Sequence, residues 1–81
     1  MHWKPIHYSH HAANELKKAR LTRQIVRDVL ARGERRVEGE TVNGTYYASS
    51  APTKKGSVEV VWMEFPHHVL VVTVYVLGEY D

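Results

Sequence analysis

The sequence predicts an α+β domain in which two N-terminal helices pack on one face of a four-stranded, mainly antiparallel sheet. Three observations carry that expectation. Apolar residues recur at three- and four-residue spacing between Ala12 and Leu30, the helical period. From Arg35 onward they alternate or gather into β-branched runs, the period of strands. The 81 residues, 43 % apolar and 25 % charged, suffice for one thin core and are too apolar for disorder. Residues 1–81 are therefore expected to form a single domain.

Met1 to Tyr8 reads as an extended lead-in, because Pro5 opposes an early helix. Ser9 is placed as an N-cap, its hydroxyl accepting from a free amide of the first turn. A helix over 9–20 follows, with a narrow stripe of Ala12, Leu16 and Ala19. Thr22 is a second N-cap, opening a helix over 22–32 with Ile25, Val26, Val29 and Leu30 on its buried face. Gly33 stands where a left-handed C-cap is expected. With so short a connection the two helices should pack as a hairpin. Arg23 and Arg27, four apart, share a face turned from the apolar stripe.

Residues 35–77 read as a four-stranded meander. Arg35 to Val42 and Thr45 to Ser49 flank Asn43-Gly44, a strong hairpin signal. Ser50 to Gly56 reads as a polar loop. Val58 to Phe65 and Val69 to Leu77 are two further strands, joined around Pro66-His67-His68. In the last strand Leu70, Val72, Val74 and Val76 are expected to face the helices. Val69, Val71, Thr73 and Tyr75 are expected on a mixed, open face. Glu79-Tyr80-Asp81 reads as a tail.

The composition excludes several classes of function. Without cysteine there is no disulfide, thiolate zinc site or cysteine nucleophile, and a reducing compartment is permitted. The apolar run from Val69 is too short to span a membrane, and the N-terminus lacks a signal peptide's apolar stretch. A cytoplasmic setting is expected. The formal net charge is +2, but it is unevenly placed. Between Lys17 and Arg36 lie Lys17, Lys18, Arg20, Arg23, Arg27, Arg32, Arg35 and Arg36 against Asp28 and Glu34. Such a basic pole suits an anionic partner such as nucleic acid. A solvated helical face explains the same charges as well.

Chemistry could sit on the histidines: His2, His7, His10, His11, His67 and His68. No His-Glu-x-x-His pattern sets a metal site, so these are read as surface or capping residues and no metal is expected. There is no Gly-x-Ser-x-Gly elbow, phosphate loop or dinucleotide fingerprint, and no cofactor is expected. What remains is phosphodiester chemistry without metal. Cleaving RNA through its own 2′-hydroxyl needs a base, an acid and cations around the phosphate. Histidine suits the first two roles, lysine and arginine the third. His10 and His11 lie at a helix N-terminus, where the dipole and free amides favour a phosphate. A purely structural His11, bonded at the helix start, is the competing reading.

The stretch Tyr8-Ser9-His10-His11-Ala12 resembles the Ser-x-His-Ala opening of a family of small domains known as domain of unknown function 4258. The likeness continues through Leu21-Thr22, Val26, Leu30 and Gly33-Glu34, and ends at Val72-Thr73-Val74-Tyr75. The resemblance implies a RelE-type, barnase-like fold and a metal-independent RNase toxin, with RNA substrates and a small antitoxin protein as partners. It places the family's helix histidine at His11, and its terminal-strand threonine and tyrosine at Thr73 and Tyr75. Family members usually carry arginines four and eight residues beyond the histidine. This chain has Glu15 and Ala19 there, with Lys18 and Arg20 alongside.

The expected site is thus His11, Lys18, Arg20, Thr73 and Tyr75 for cleavage, with Lys17, Arg23, Arg27, Lys54 and Lys55 holding nucleic acid. A non-catalytic module binding RNA or protein is the alternative. It accounts for the basic helices equally, and Trp62, Tyr46 and Tyr47 would then supply a protein interface.

Overall fold

The computed structural model describes residues 4–77, so the first part of the lead-in and the Glu79–Asp81 tail lie outside the described residues. The elements in order are β1 (Ile6–Tyr8), α1 (His10–Ala19), α2 (Arg23–Arg32), β2 (Glu34–Thr41), β3 (Gly44–Thr53), β4 (Gly56–Glu64) and β5 (Val69–Leu77). Strands β2 to β5 form the expected antiparallel meander, but the sheet has five strands in the order β1-β5-β4-β3-β2.

The fifth strand corrects the four-stranded expectation. β1 pairs parallel with β5, Ile6 beside Val69 and Tyr8 beside Val71. The Val69 amide donates to the Pro5 carbonyl at 2.9 Å and the Ser9 amide to the Val71 carbonyl at 3.0 Å. Three residues are too few for alternation to show, and a parallel partner across the chain leaves no turn signal between the two.

Both helix starts follow the capping chemistry. Ser9 and Thr22 are extended, and their hydroxyls accept from the amides of Ala12 and Ile25. The ends differ from expectation. The left-handed cap belongs to Arg20 (φ 57°), which closes α1. Gly33 is extended (φ −74°, ψ 160°). Its lack of a side chain answers to crowding instead: a Cβ there would lie 2.5 Å from the Val29 carbonyl oxygen and 2.7 Å from that of Ser50. The helices do not pack chiefly on each other. α1 leans on β5 and touches β1, while α2 covers β3 and β4.

The two hairpins share one device. Thr41-Val42-Asn43-Gly44 and Thr53-Lys54-Lys55-Gly56 each use the threonine hydroxyl to accept from the residue two on and to donate to the glycine carbonyl. Both glycines have positive φ (142° and 111°). The first turn therefore falls on Val42-Asn43, one residue earlier than the Asn-Gly signal suggests. The segment read as a loop from Ser50 is strand as far as Thr53. Its polarity belongs to the turn and to the helix-free face.

The core lies between helices and sheet, built from Ala12, Leu16, Leu21, Val26 and Val29 against Val58, Val60, Trp62, Val69, Val71 and Val74. The buried Trp62 indole donates to Ser49 Oγ at 2.9 Å, and the Tyr47 ring stacks on it at 4.7 Å. β5 carries a bulge: Trp62 pairs with Val71 and Val61 with Thr73, leaving Val72 as the extra residue. The bulge shifts the phase of the strand. Val69 and Val71 face the core before it, Val74 and Val76 after it, which corrects the expected Leu70/Val72 half of the pattern. No helix among the described residues is long and apolar enough to cross a membrane.

Candidate functional site

On α1, Ala12 and Leu16 point into the core. At about 100° per residue, His11, Glu15 and Lys18 then fall together on one flank. That flank borders β5. Glu15, Lys18 and Ala19 line a groove of about 380 Å³ with Val74, Tyr75, Val76 and Leu77. His11 stands exposed in the first turn, above this flank. Lys18 Nζ lies 3.8 Å from Glu15 Oε1, a loose pair in which the lysine offsets the carboxylate while staying largely in solvent.

Tyr75 turns the corner from the groove to the helix-free face of the sheet. It is 48 % exposed and pairs across to Glu59, which pairs in turn with Ser50. The Glu59 side chain is mostly buried and accepts from Arg36 Nη2 at 2.7 Å, while Arg36 Nε lies 3.3 Å from Glu38. Sequence reading passed over this ion pair because its charges come from strands 23 residues apart and alternate like solvated ones.

The structure thus brings Lys18 and Tyr75 to one groove and sets His11 on the same helix flank. It does not bring Thr73 or Arg20 into that groove. Thr73 pairs with Val61 and is buried, its hydroxyl without a hydrogen-bond partner among the described residues. Arg20 is spent as the exposed helix cap. Lys17 is exposed on another flank of α1. Lys54 and Lys55 sit at the β3–β4 turn, where Lys54 borders a groove of about 590 Å³ against α2.

Arg23 lies elsewhere, on Tyr8, with Arg27 one helical turn along the same flank of α2. The Arg23 guanidinium lies 5.1 Å from the Tyr8 ring centre. The Tyr8 hydroxyl is buried without a partner among the described residues. Burial pushes this phenol above its ordinary pKa, and the charges of Arg23 and Arg27 pull the other way. Nothing in the lead-in pattern marked Tyr8, because its partners come from a helix formed later in the chain.

His2 lies outside the described residues, and the other histidines do not gather as a ligand set. His7 stacks on His68 (centroids 4.6 Å, 19°) and His68 on Phe65 (4.7 Å, 14°), a short column of rings at the sheet end. No group of three or more metal-ligating side chains occurs among the described residues. No protein-family model, curated protein or solved structure matches the chain.

Proposed function

We propose that this domain is a metal-independent endoribonuclease of toxin type, the activity implied by its likeness to domain of unknown function 4258. One observation carries the reading. Glu15 and Lys18 line one open groove with Tyr75, and His11 lies on the same flank of α1 beyond its lining. A cation and a tyrosine therefore border one space, with a base on the helix flank beside it. In that space the 2′-oxygen of RNA attacks the adjacent phosphorus and the bond to the 5′-oxygen breaks. His11 serves as the base that takes the 2′-proton, or as the imidazolium that returns one to the leaving oxygen. Lys18 balances charge on the phosphate, and Tyr75 offers its hydroxyl to an oxygen or its ring to a base. A cytoplasmic setting and a small antitoxin protein as partner belong to the same proposal.

The test is purified protein incubated with RNA in chelator, beside His11→Ala. Cleavage that survives chelation and disappears in the variant supports the proposal. Absence of cleavage from pH 5 to 9 overturns it in favour of a second reading, an RNA-binding module without catalysis. Two observations favour that second reading: Arg23 lies on Tyr8, apart from the groove, and the groove holds a carboxylate at Glu15.

A further inference from the structure

We infer that Tyr8, Arg23 and Arg27 form a phosphate-binding subsite, in which the Arg23 guanidinium rests over the tyrosine ring until an anion draws it off. Three features of the chain lead there.

The first is the hydroxyl itself. A buried O–H with no partner is destabilising, and a tyrosine in a packed interface usually finds one. Tyr8 does not, although its strand is fixed on both sides by the Pro5–Val69 and Ser9–Val71 backbone bonds. Phenylalanine would fill the same space without that penalty.

The second is what surrounds it. Arg23 lies over the ring and Arg27 one helical turn further along the same flank of α2. Their charge dominates the surroundings of the hydroxyl apart from burial. Neither arginine forms an ion pair among the described residues, whereas Arg32 and Arg36 do. Two guanidiniums and an O–H, donors all, suit a tetrahedral oxyanion.

The third is access. A groove of about 470 Å³ between β1 and α2 has Arg27 on its wall, with Gln24 and Asp28 beside it. Asp28 accepts from Gln24 at 3.2 Å and lies 3.7 Å from Arg32, a loose exposed pair that offsets part of its charge. Lys4, at the far end, is engaged by Glu64 and the Phe65 carbonyl. An anion entering this groove meets Arg27 first. Arg23, next in the chain to Gln24 of the groove wall, is exposed on a flexible stem and can swing from the ring toward that anion.

The ligand is a phosphate group, either free or as a phosphodiester of RNA. Only the second source rests on the RNA reading above; the subsite itself requires no cleavage. The experiment compares wild type, Tyr8→Phe and Arg23→Gln in three arms: melting temperature without phosphate, its rise with added inorganic phosphate, and anisotropy of a labelled single-stranded RNA. The expected result for Tyr8→Phe is an unchanged or higher melting temperature with about tenfold weaker anion binding, the loss of one hydrogen bond to a charged group. Arg23→Gln should weaken binding and reduce its salt dependence by about one counterion. An effect on both ligands assigns the site to phosphate generally, and an effect on RNA alone assigns it to the phosphodiester. Variants that bind both ligands as wild type does overturn the inference. So does a Tyr8→Phe protein that melts lower while binding normally, since the hydroxyl would then be structural. The melting and inorganic-phosphate arms contain no RNA, so their outcome separates this subsite from the proposed cleavage chemistry.

Discussion

The Ser9 hydroxyl joins the start of α1 to the last strand: it accepts from the Ala12 amide at 3.0 Å and donates to the Val72 carbonyl at 2.7 Å. The carbonyl it reaches belongs to the bulge residue, so one small side chain caps a helix and satisfies an irregular strand. Ser9→Ala loses both bonds and should cost about 2 kcal/mol, roughly one for the cap and one for the strand bond. Ser9→Asp keeps the cap but sets a carboxylate against a carbonyl oxygen, and should also melt below wild type. Urea denaturation of the two variants checks this. If the aspartate matches the serine, the Val72 bond contributes nothing.

Gly33 stands where backbone closes in on it from two sides. Any Cβ there meets the backbone of Val29 and Ser50, which cannot swing aside as a side chain would. Gly33→Ala should destabilise by about 1–3 kcal/mol even though alanine has the higher helix propensity within a helix. Thermal melts read the difference. An unchanged melting temperature would show that α2 and β3 have room to part.

Titration of Tyr8 should couple to stability at high pH. Burial raises its pKa in the folded chain above the ordinary value near 10, so the folded state prefers the neutral phenol. The stabilisation is complete below the unfolded value and disappears as pH rises through the folded one. Between pH 9 and 11 wild type should lose stability more steeply than Tyr8→Phe. Parallel melting curves for the two would show that Arg23 and Arg27 cancel the effect of burial.

Glu15 offers a gain-of-function test of the groove. It occupies a position where the resembling family usually has arginine, and it shares the groove with Lys18 and Tyr75. Glu15→Arg exchanges a negative for a positive charge and should tighten RNA binding several-fold at low salt, with a steeper salt dependence. Lys18→Ala should do the reverse. Filter binding over a range of salt concentrations checks both, and equal affinities for all three proteins would remove the groove from the RNA path.

Local chemistry was the legible part. Ser9 and Thr22 show as caps because a hydroxyl before an apolar period has one good use, and the helices that follow them were read to within two residues. The meander was readable from β-branched runs separated by turns. The bulge was not: Val69-Leu70-Val71-Val72 is apolar on both faces, so alternation carries no phase there and cannot reveal one extra residue. The short β1 was hidden because its only partner is β5. The same limit governs the site. His11, Lys18 and Tyr75 stood out by residue type and by resemblance. Tyr8 gained its meaning only when β1 and α2 were brought together.

The pairing of β1 with β5 has a kinetic consequence. Ile6 and Val69 are neighbours in the sheet although 63 residues separate them in the chain. The closure entropy for that contact is met only after the meander has assembled a surface to receive it. A chain emerging from the ribosome therefore makes its first strand early and docks it last. Until then one side of β5 is an uncharged, unshielded ribbon, and the nascent domain is most prone to self-association while its oldest segment waits.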